Sequence, residues 1–215
     1  YDTITPYTLL DISSKLLKLS RGEVKSDIRD SLEFQKFYGS PELFAERIVK
    51  DGGGVARGLL WKATNKNSLD FLPSKPLNKH IDAVFNETGM AQYIDGSCPI
   101  DMLETNLKVT KIGEGGIGSI DSAPEETRYT RDSFLGFIDP IKTPESLSVG
   151  LDTYLAYGVR RGKDGLLYNK FLNAKTGQTE WLSSIKAAKS IVATPEYTNS
   201  KDKYIPAFTP DGIQI

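Results

Sequence analysis

The chain has 215 residues, of which 39% are apolar and 26% charged, with a formal net charge of −1. Such a composition excludes fibrous and disordered classes and leaves room for one large domain or two small ones with a sizeable core. Near-neutrality also excludes a whole-surface electrostatic grip on nucleic acid, so any such grip has to come from a local patch.

Taken in chain order, Thr5-Pro6 followed by Leu9, Ile12, Leu16 and Leu19 predicts a capped helix with an apolar stripe, ending near Gly22. Ser40-Pro41-Glu42 starts a second, through Leu43, Phe44, Ile48 and Val49, which the Gly52-Gly53-Gly54 run is expected to break before helix resumes over 55–64. Lys75-Pro76 opens a third through Leu77, Ile81, Val84 and Phe85, closed by Gly89. His80 is the sole histidine and falls on that helix, where its neighbours predict a flank position. With one histidine, neither a Ser-His-Asp triad within the chain nor a His-rich zinc site is available. Cys98 is the sole cysteine and reads as a small buried side chain; it excludes an internal disulfide and a multi-thiolate metal site, and suits a reducing compartment.

From about Tyr154 the pattern turns to short β-branched and aromatic runs, with turns at Asp164-Gly165 and Thr176-Gly177 and strands over 166–172 and 190–193. The fold class is therefore α+β: a helical first part, 1–90, then an irregular, loop-rich and β-rich part, 91–215. No apolar run reaches the length of a membrane span, and no signal peptide opens the chain. Because it starts at Tyr1, the chain is expected to be a piece of something longer. Between Arg160 and Lys189 seven Lys or Arg face only two acids, Asp164 and Glu180, which makes this stretch a candidate basic patch or a solvated hairpin surface.

The stretch Lys111-Ile112-Gly113-Glu114-Gly115-Gly116-Ile117-Gly118-Ser119 could in principle cradle a phosphate. A P-loop, however, needs Lys and then Ser or Thr after its last glycine, and here Ile117, Gly118 and Ser119 follow Gly116. A dinucleotide fingerprint needs a following helix, which Pro124 interrupts. An autonomous nucleotide-binding enzyme is thus disfavoured. No two aspartates stand at a spacing of two, so the paired carboxylates that hold magnesium in phosphoryl and nucleotidyl transfer are also absent from the local sequence.

Onward from the glycines the chain runs Gly136-Phe137-Ile138-Asp139-Pro140-Ile141-Lys142-Thr143-Pro144-Glu145-Ser146-Leu147-Ser148-Val149-Gly150-Leu151. This resembles the β subunit of multisubunit, bacterial-type RNA polymerase, in which a Gly-Pro-Gly-Gly loop precedes Pro-Ile-Glu-Thr-Pro-Glu-Gly-Pro-Asn-Ile-Gly-Leu. Gly113 to Gly116 stand for the first element and Pro140 to Leu151 for the second. Elsewhere Lys75-Pro76, Gln92-Tyr93-Ile94-Asp95 with Pro99, Asp30-Ser31-Leu32 after Gly22-Glu23, and Trp181-Leu182-Ser183 with Ile191 to Ala193 keep the family's order. The resemblance covers nearly the whole chain and is closest to the split polymerases of giant bacteriophages.

The resemblance implies a protrusion-like part over 1–90 and a fork-like part over 91–215, forming the wall of the RNA–DNA hybrid channel and the downstream fork. Gly113, Gly115, Gly116 and Gly118 would form the fork loop. Gln92, Pro144 and Ser148 would touch nascent RNA, Lys108 the hybrid side of the wall, and Glu145 the neighbourhood of the incoming nucleotide. Arg128 would support the fork, with Arg131 nearby. The implied partners are a β′-like subunit and other polymerase chains, template DNA and nascent RNA, without a membrane. Mg2+ would act in the assembled enzyme on a partner subunit rather than on this segment, no zinc is implied, and the segment would be inert alone. The implied setting is the cytoplasm of a bacterial host, virus-encoded, with packaging in the virion as a further option.

Three departures qualify the resemblance. The family's basic fork-loop tip is Gly118-Ser119-Ile120-Asp121 here, which removes positive charge, and the Glu of Pro-Ile-Glu-Thr is Lys142. The rifamycin-binding pattern becomes Thr105, Lys108 and Thr110, with Asp95 kept, so insensitivity to rifamycin is expected. The alternative reading is a free-standing single-strand nucleic-acid-binding module, using the Arg160 to Lys189 patch with Tyr157, Tyr168 and Trp181 as stacking faces.

Overall fold

Prolines in the first turn, Pro6 and Pro41, help set where the first two helices begin. In the computed structural model, which describes residues 4–66, 75–87, 89, 91–194, 196, 205–209 and 212–214, α1 spans Pro6–Ser20. Thr5 caps it reciprocally with Thr8: the Thr8 N–H donates to Thr5 Oγ1 at 3.2 Å, and the Thr5 N–H donates to Thr8 Oγ1 at 2.7 Å. The expected stripe of Leu9, Ile12, Leu16 and Leu19 is exposed. α1 lies in a first compact unit, Tyr1–Asp30, where Lys15 also pairs with Asp27 at 2.5 Å.

The second unit is Ser31–Ile215. α2, Ser40–Lys50, starts where the Gly39 N–H donates to Glu42 Oε2 at 2.9 Å. The expected glycine break is confined to Asp51, and Gly52 to Gly54 form the first turn of α3, Gly52–Lys66. A first turn asks no intrahelical partner of its N–H groups, so glycine is least harmful there. α4, Lys75–Asn86, packs on α2 through buried Leu43, Ala83 and Val84, with the Phe44 and Phe85 rings 5.9 Å apart. His80, expected on a helix flank, is 4% exposed, with Nε2 3.5 Å from Asp51 Oδ2, because its helix face turns toward the α2–α3 junction.

A helix not read from the sequence, α5, spans Pro99–Leu107, again with proline in the first turn. Cys98 occupies its N-cap position and is exposed, correcting the buried expectation: a residue just ahead of a helix that buries none of its own residues remains in solvent. From α5 the chain passes directly into β1, Lys108–Thr110, which pairs antiparallel with β2, Asp152–Tyr154, setting Lys108 opposite Tyr154 and Thr110 opposite Asp152. The intervening segment carries three short 3₁₀ turns, at Ile120–Ser122, Glu125–Arg128 and Asp132–Phe134.

An antiparallel meander follows: β3, Arg160–Arg161, β4, Leu167–Leu172, and β5, Thr179–Ser183, joined through the expected Asp164-Gly165 and Thr176-Gly177 turns. Ser183 caps α6, Ser184–Ala188, its Oγ accepting from the Lys186 N–H at 3.3 Å. β6, Val192–Ala193, pairs with β7, Ala207–Thr209, and β7 with β8, Gly212–Gln214. Helices first and small antiparallel sheets later make the fold α+β, as the sequence indicates.

A hydrophobic core lies in the second unit. Leu32, Phe134, Phe137, Ile138, Leu167 and Ala187 are buried together, flanked by Phe37, Leu155, Val159 and Phe171. Alternation along β4 explains which side packs: Leu167 and Phe171 turn inward, while Lys170 is exposed between them.

Arg161 ties the meander to the start of α2, its Nε donating to the Phe37 carbonyl at 2.6 Å and Nη2 pairing with Glu42 Oε1 at 2.5 Å. Arg161 first, and then the Gly39 N–H, hold the Glu42 carboxyl below its ordinary value. A carboxylate with a depressed folded pKa contributes stability that is present above its unfolded pKa and lost as pH falls through the folded one. Arg161→Gln is therefore expected to raise the Glu42 titration in a carboxyl-detected NMR experiment and to weaken the acid-side fall in stability. An unchanged Glu42 titration in that variant would contradict the assignment.

Candidate functional site

The β1–β2 ribbon is the platform on which the predicted contact residues meet. Lys108 Nζ lies 3.1 Å from Asp152 Oδ2, with side chains 27% and 15% exposed, so the cation is half-buried and neutralised in place. Lys142 pairs with Glu104 of α5 and stands 4.6 Å over the Tyr154 ring.

Local polar side chains then close the loop over 139–151. Asp139 Oδ1 accepts from the N–H groups of Ile141 and Lys142, at 2.9 and 3.2 Å, turning the chain after Pro140. Thr143 Oγ1 donates to the Asp152 carbonyl at 3.0 Å and accepts from the Gly150 N–H at 2.9 Å, which pins both ends to β2. Arg128 Nη1 donates to the carbonyls of Leu147 and Val149 at 2.7 and 2.9 Å. Between these anchors Pro144 and Ser148 are half-buried and Glu145 is exposed. The Ser148 carbonyl accepts from the N–H groups of Leu151 and Asp152, both at 3.0 Å. Arg131 braces the neighbouring turns, its Nη2 donating to the Glu126 carbonyl at 3.1 Å and its guanidinium 5.9 Å from the Tyr129 ring. Arg128, Tyr129, Lys142, Thr143, Val149 and Gly150 line part of one recess beside this loop.

The glycine loop folds back on itself. The Gly113 N–H donates to the Ile117 carbonyl at 2.9 Å, the Ile117 N–H to Lys111 at 2.9 Å, and the Gly116 N–H to Gly113 at 3.0 Å. Gly113 and Gly115 hold φ of 116° and 80°, and a Cβ on Gly116 would run into the Lys111 carbonyl, so the glycines serve a tight turn. Those three N–H groups already have carbonyl partners and do not converge on an anion, in keeping with the missing P-loop lysine. Glu114 pairs with Arg47 of α2, which also reaches Glu87 at 3.1 Å, and the Tyr38 ring packs over Gly115. Gly118 is exposed beyond the turn.

The structure thus gathers Lys108, Arg128, Pro144, Glu145 and Ser148 around one loop and ribbon, with Arg131 behind them. Gln92 is exposed in the stretch ahead of α5, and among the described residues no hydrogen bond ties its side chain to the ribbon. Sequence reading missed Asp152, Glu104, Asp139 and Thr143. For Asp139 and Thr143 a signal existed, since Asp before Pro and Thr before Pro are turn-forming pairs. For Asp152 and Glu104 none did, because only folding chooses which carboxylate meets which lysine. Among the described residues, no group of three or more His, Cys, Asp or Glu could hold a metal ion, and no helix is long and apolar enough to cross a membrane.

Comparison with known proteins places this geometry. Residues 92–160 match the model of a family described as RNA polymerase Rpb2, domain 3. Over 214 residues the chain is 27% identical to the DNA-directed RNA polymerase subunit beta N-terminal section of Stigeoclonium helveticum, an alignment covering 95% of this chain and 31% of that protein. The chain accordingly spans about a third of the length of that curated relative. Every predicted contact residue, the glycine loop and the whole β1–β2 ribbon fall inside the matched region. The order of motifs, the α+β architecture and both similarities support one reading: the chain resembles a divergent segment of an RNA polymerase β subunit.

Proposed function

We propose that the chain works as part of a multisubunit DNA-directed RNA polymerase, forming the wall of the RNA–DNA hybrid channel and the downstream fork. The observation that carries this reading is the anchoring of the 139–151 loop: Thr143 pins it to β2 and Arg128 holds its far side by two carbonyls. That arrangement makes Pro144, Glu145 and Ser148 a pre-shaped surface rather than a free loop, which is what a channel lining requires. Gln92, Lys108 and Arg131 extend it, and Gly113 to Gly118 shape the fork side. Lys108 and Lys142 reach this surface already paired with carboxylates, so the wall guides by shape and hydrogen bonding more than by net positive charge.

In this reading the metal that supports nucleotidyl transfer is held by a β′-like partner rather than by this segment. Residues 1–90 are protrusion-like and 91–215 fork-like. A place among virus-encoded split polymerases belongs to the same proposal, and Thr105, Lys108 and Thr110 support insensitivity to rifamycin.

The test is gentle purification of the tagged chain from its native setting, identification of what accompanies it, and transcription by the same fraction. A β′-like chain should co-purify, RNA should be made at rifampicin levels that stop the host enzyme, and 4-thiouridine near the RNA 3′ end should cross-link within 144–148. Recovery of the chain alone, with no RNA synthesis, would overturn the reading and favour a free-standing single-strand-binding module.

A further inference from the structure

The cations named for the channel wall are held by carboxylates or backbone carbonyls, whereas Arg160 and Lys170 meet no carboxylate among the described residues. On the solvent face of the β3–β4–β5 meander, Trp181 stands opposite Lys170 in the strand register, and Arg160 stands opposite Tyr168. The Lys170 ammonium and the Arg160 guanidinium each lie 5.4 Å from the Trp181 ring centroid. Both cationic residues are exposed, as is Trp181 at 44%, and among the described residues no carboxylate pairs with either cation. Two nearby acids are engaged otherwise. Asp164 accepts from the Tyr168 hydroxyl at 2.8 Å, and Glu180 stands opposite Phe171 and accepts from Asn173 Nδ2 at 3.0 Å. The inner face of the same sheet is the one that buries Leu167 and Phe171, so the outer face is left to solvent.

We propose that this outer face is a single-stranded nucleic-acid site, separate from the channel wall, in which Trp181 stacks a base and Arg160 and Lys170 hold the flanking phosphates. An indole between two unneutralised cations repeats the alternation of flat ring and anion that an unpaired strand presents. A duplex keeps its bases inside the stack and could use only the cations. An acidic peptide would likewise leave the indole without a ring partner. Trp181, Tyr168 and Lys170 lie beyond residues 92–160, the stretch that matches the polymerase domain model.

Trp61→Phe leaves Trp181 as the only one of the two tryptophans, so its fluorescence reports on this face in the 215-residue chain. Titration with a thymidine 15-mer at low salt should quench it saturably. Trp181→Leu should weaken binding of the labelled 15-mer, read by anisotropy, by about tenfold. Arg160→Gln with Lys170→Gln should also weaken it and lower the salt dependence by about 1.4, at roughly 0.7 for each phosphate no longer neutralised. Circular dichroism checks that each variant keeps its fold, and a misfolded Trp181→Leu would be replaced by Trp181→Tyr, which should retain partial binding. Unchanged affinity in the folded variants would overturn the proposal, as would equal competition by polyglutamate of matched charge or by duplex DNA. The assay needs no partner subunit, so it can fail while the polymerase reading stands.

Discussion

Gly150→Ala is expected to destabilise the second unit by roughly 3 kcal/mol in urea unfolding, a large effect for one methyl group. Gly150 holds φ +68°, where an L-residue carries a backbone penalty of roughly 1 kcal/mol. A Cβ there would lie 2.9 Å from Arg128 Cα and closer still to its carbonyl oxygen, so the obstacle is backbone that cannot rotate aside. Relief would require moving Gly150, whose N–H donates to Thr143 Oγ1, or Arg128, whose guanidinium holds Leu147 and Val149. Gly177→Ala is the matched control: it has the same φ of +68° but nothing within 4 Å of its Cβ, so it should lose only the backbone component, roughly 1 kcal/mol. Equal losses at the two positions would show that the close approach to Arg128 contributes nothing.

Phe137→Ala should cost about 3–5 kcal/mol, and Phe137→Leu clearly less, because the first leaves a cavity that the surrounding core fills only in part. Phe137 is fully buried in the cluster with Leu32 and Leu167, its ring 5.6 Å from that of Phe171. Its carbonyl accepts from the Ala156 N–H at 2.9 Å, and two residues later Asp139 turns the chain into the 139–151 loop. The variant should therefore loosen the loop as well as the core, read as faster amide exchange over 141–152. A loss below about 1 kcal/mol would mean that this cluster does not hold the unit together.

Much of the local structure is legible in the residues because it depends on local chemistry. Thr5-Pro6 and Ser40-Pro41 start helices where expected, since a proline lacks only an N–H that the first turn does not use. Asp164-Gly165 and Thr176-Gly177 connect the meander as their turn propensity dictates. α5 escaped notice because it is nine residues long and buries none of them, leaving no apolar period to read. The candidate site was legible chiefly through the spacing of its two motifs; composition and periodicity alone pointed only to a loop-rich middle.

The sequence by itself determined the α+β order, the starts of α1, α2 and α4, the meander turns and the two motifs that carry the β-subunit likeness. Only the tertiary structure decided which charges stay available to a ligand. Lys108 meets Asp152 across a ribbon, Lys142 meets Glu104 of a helix, and Glu114 meets Arg47 of another, while Arg160 and Lys170 meet no carboxylate among the described residues. The physical reason is that helix starts and turns are backbone preferences of a few adjacent residues. An ion pair between distant segments forms only after the core around Phe137 has closed the chain and fixed which side chains face each other.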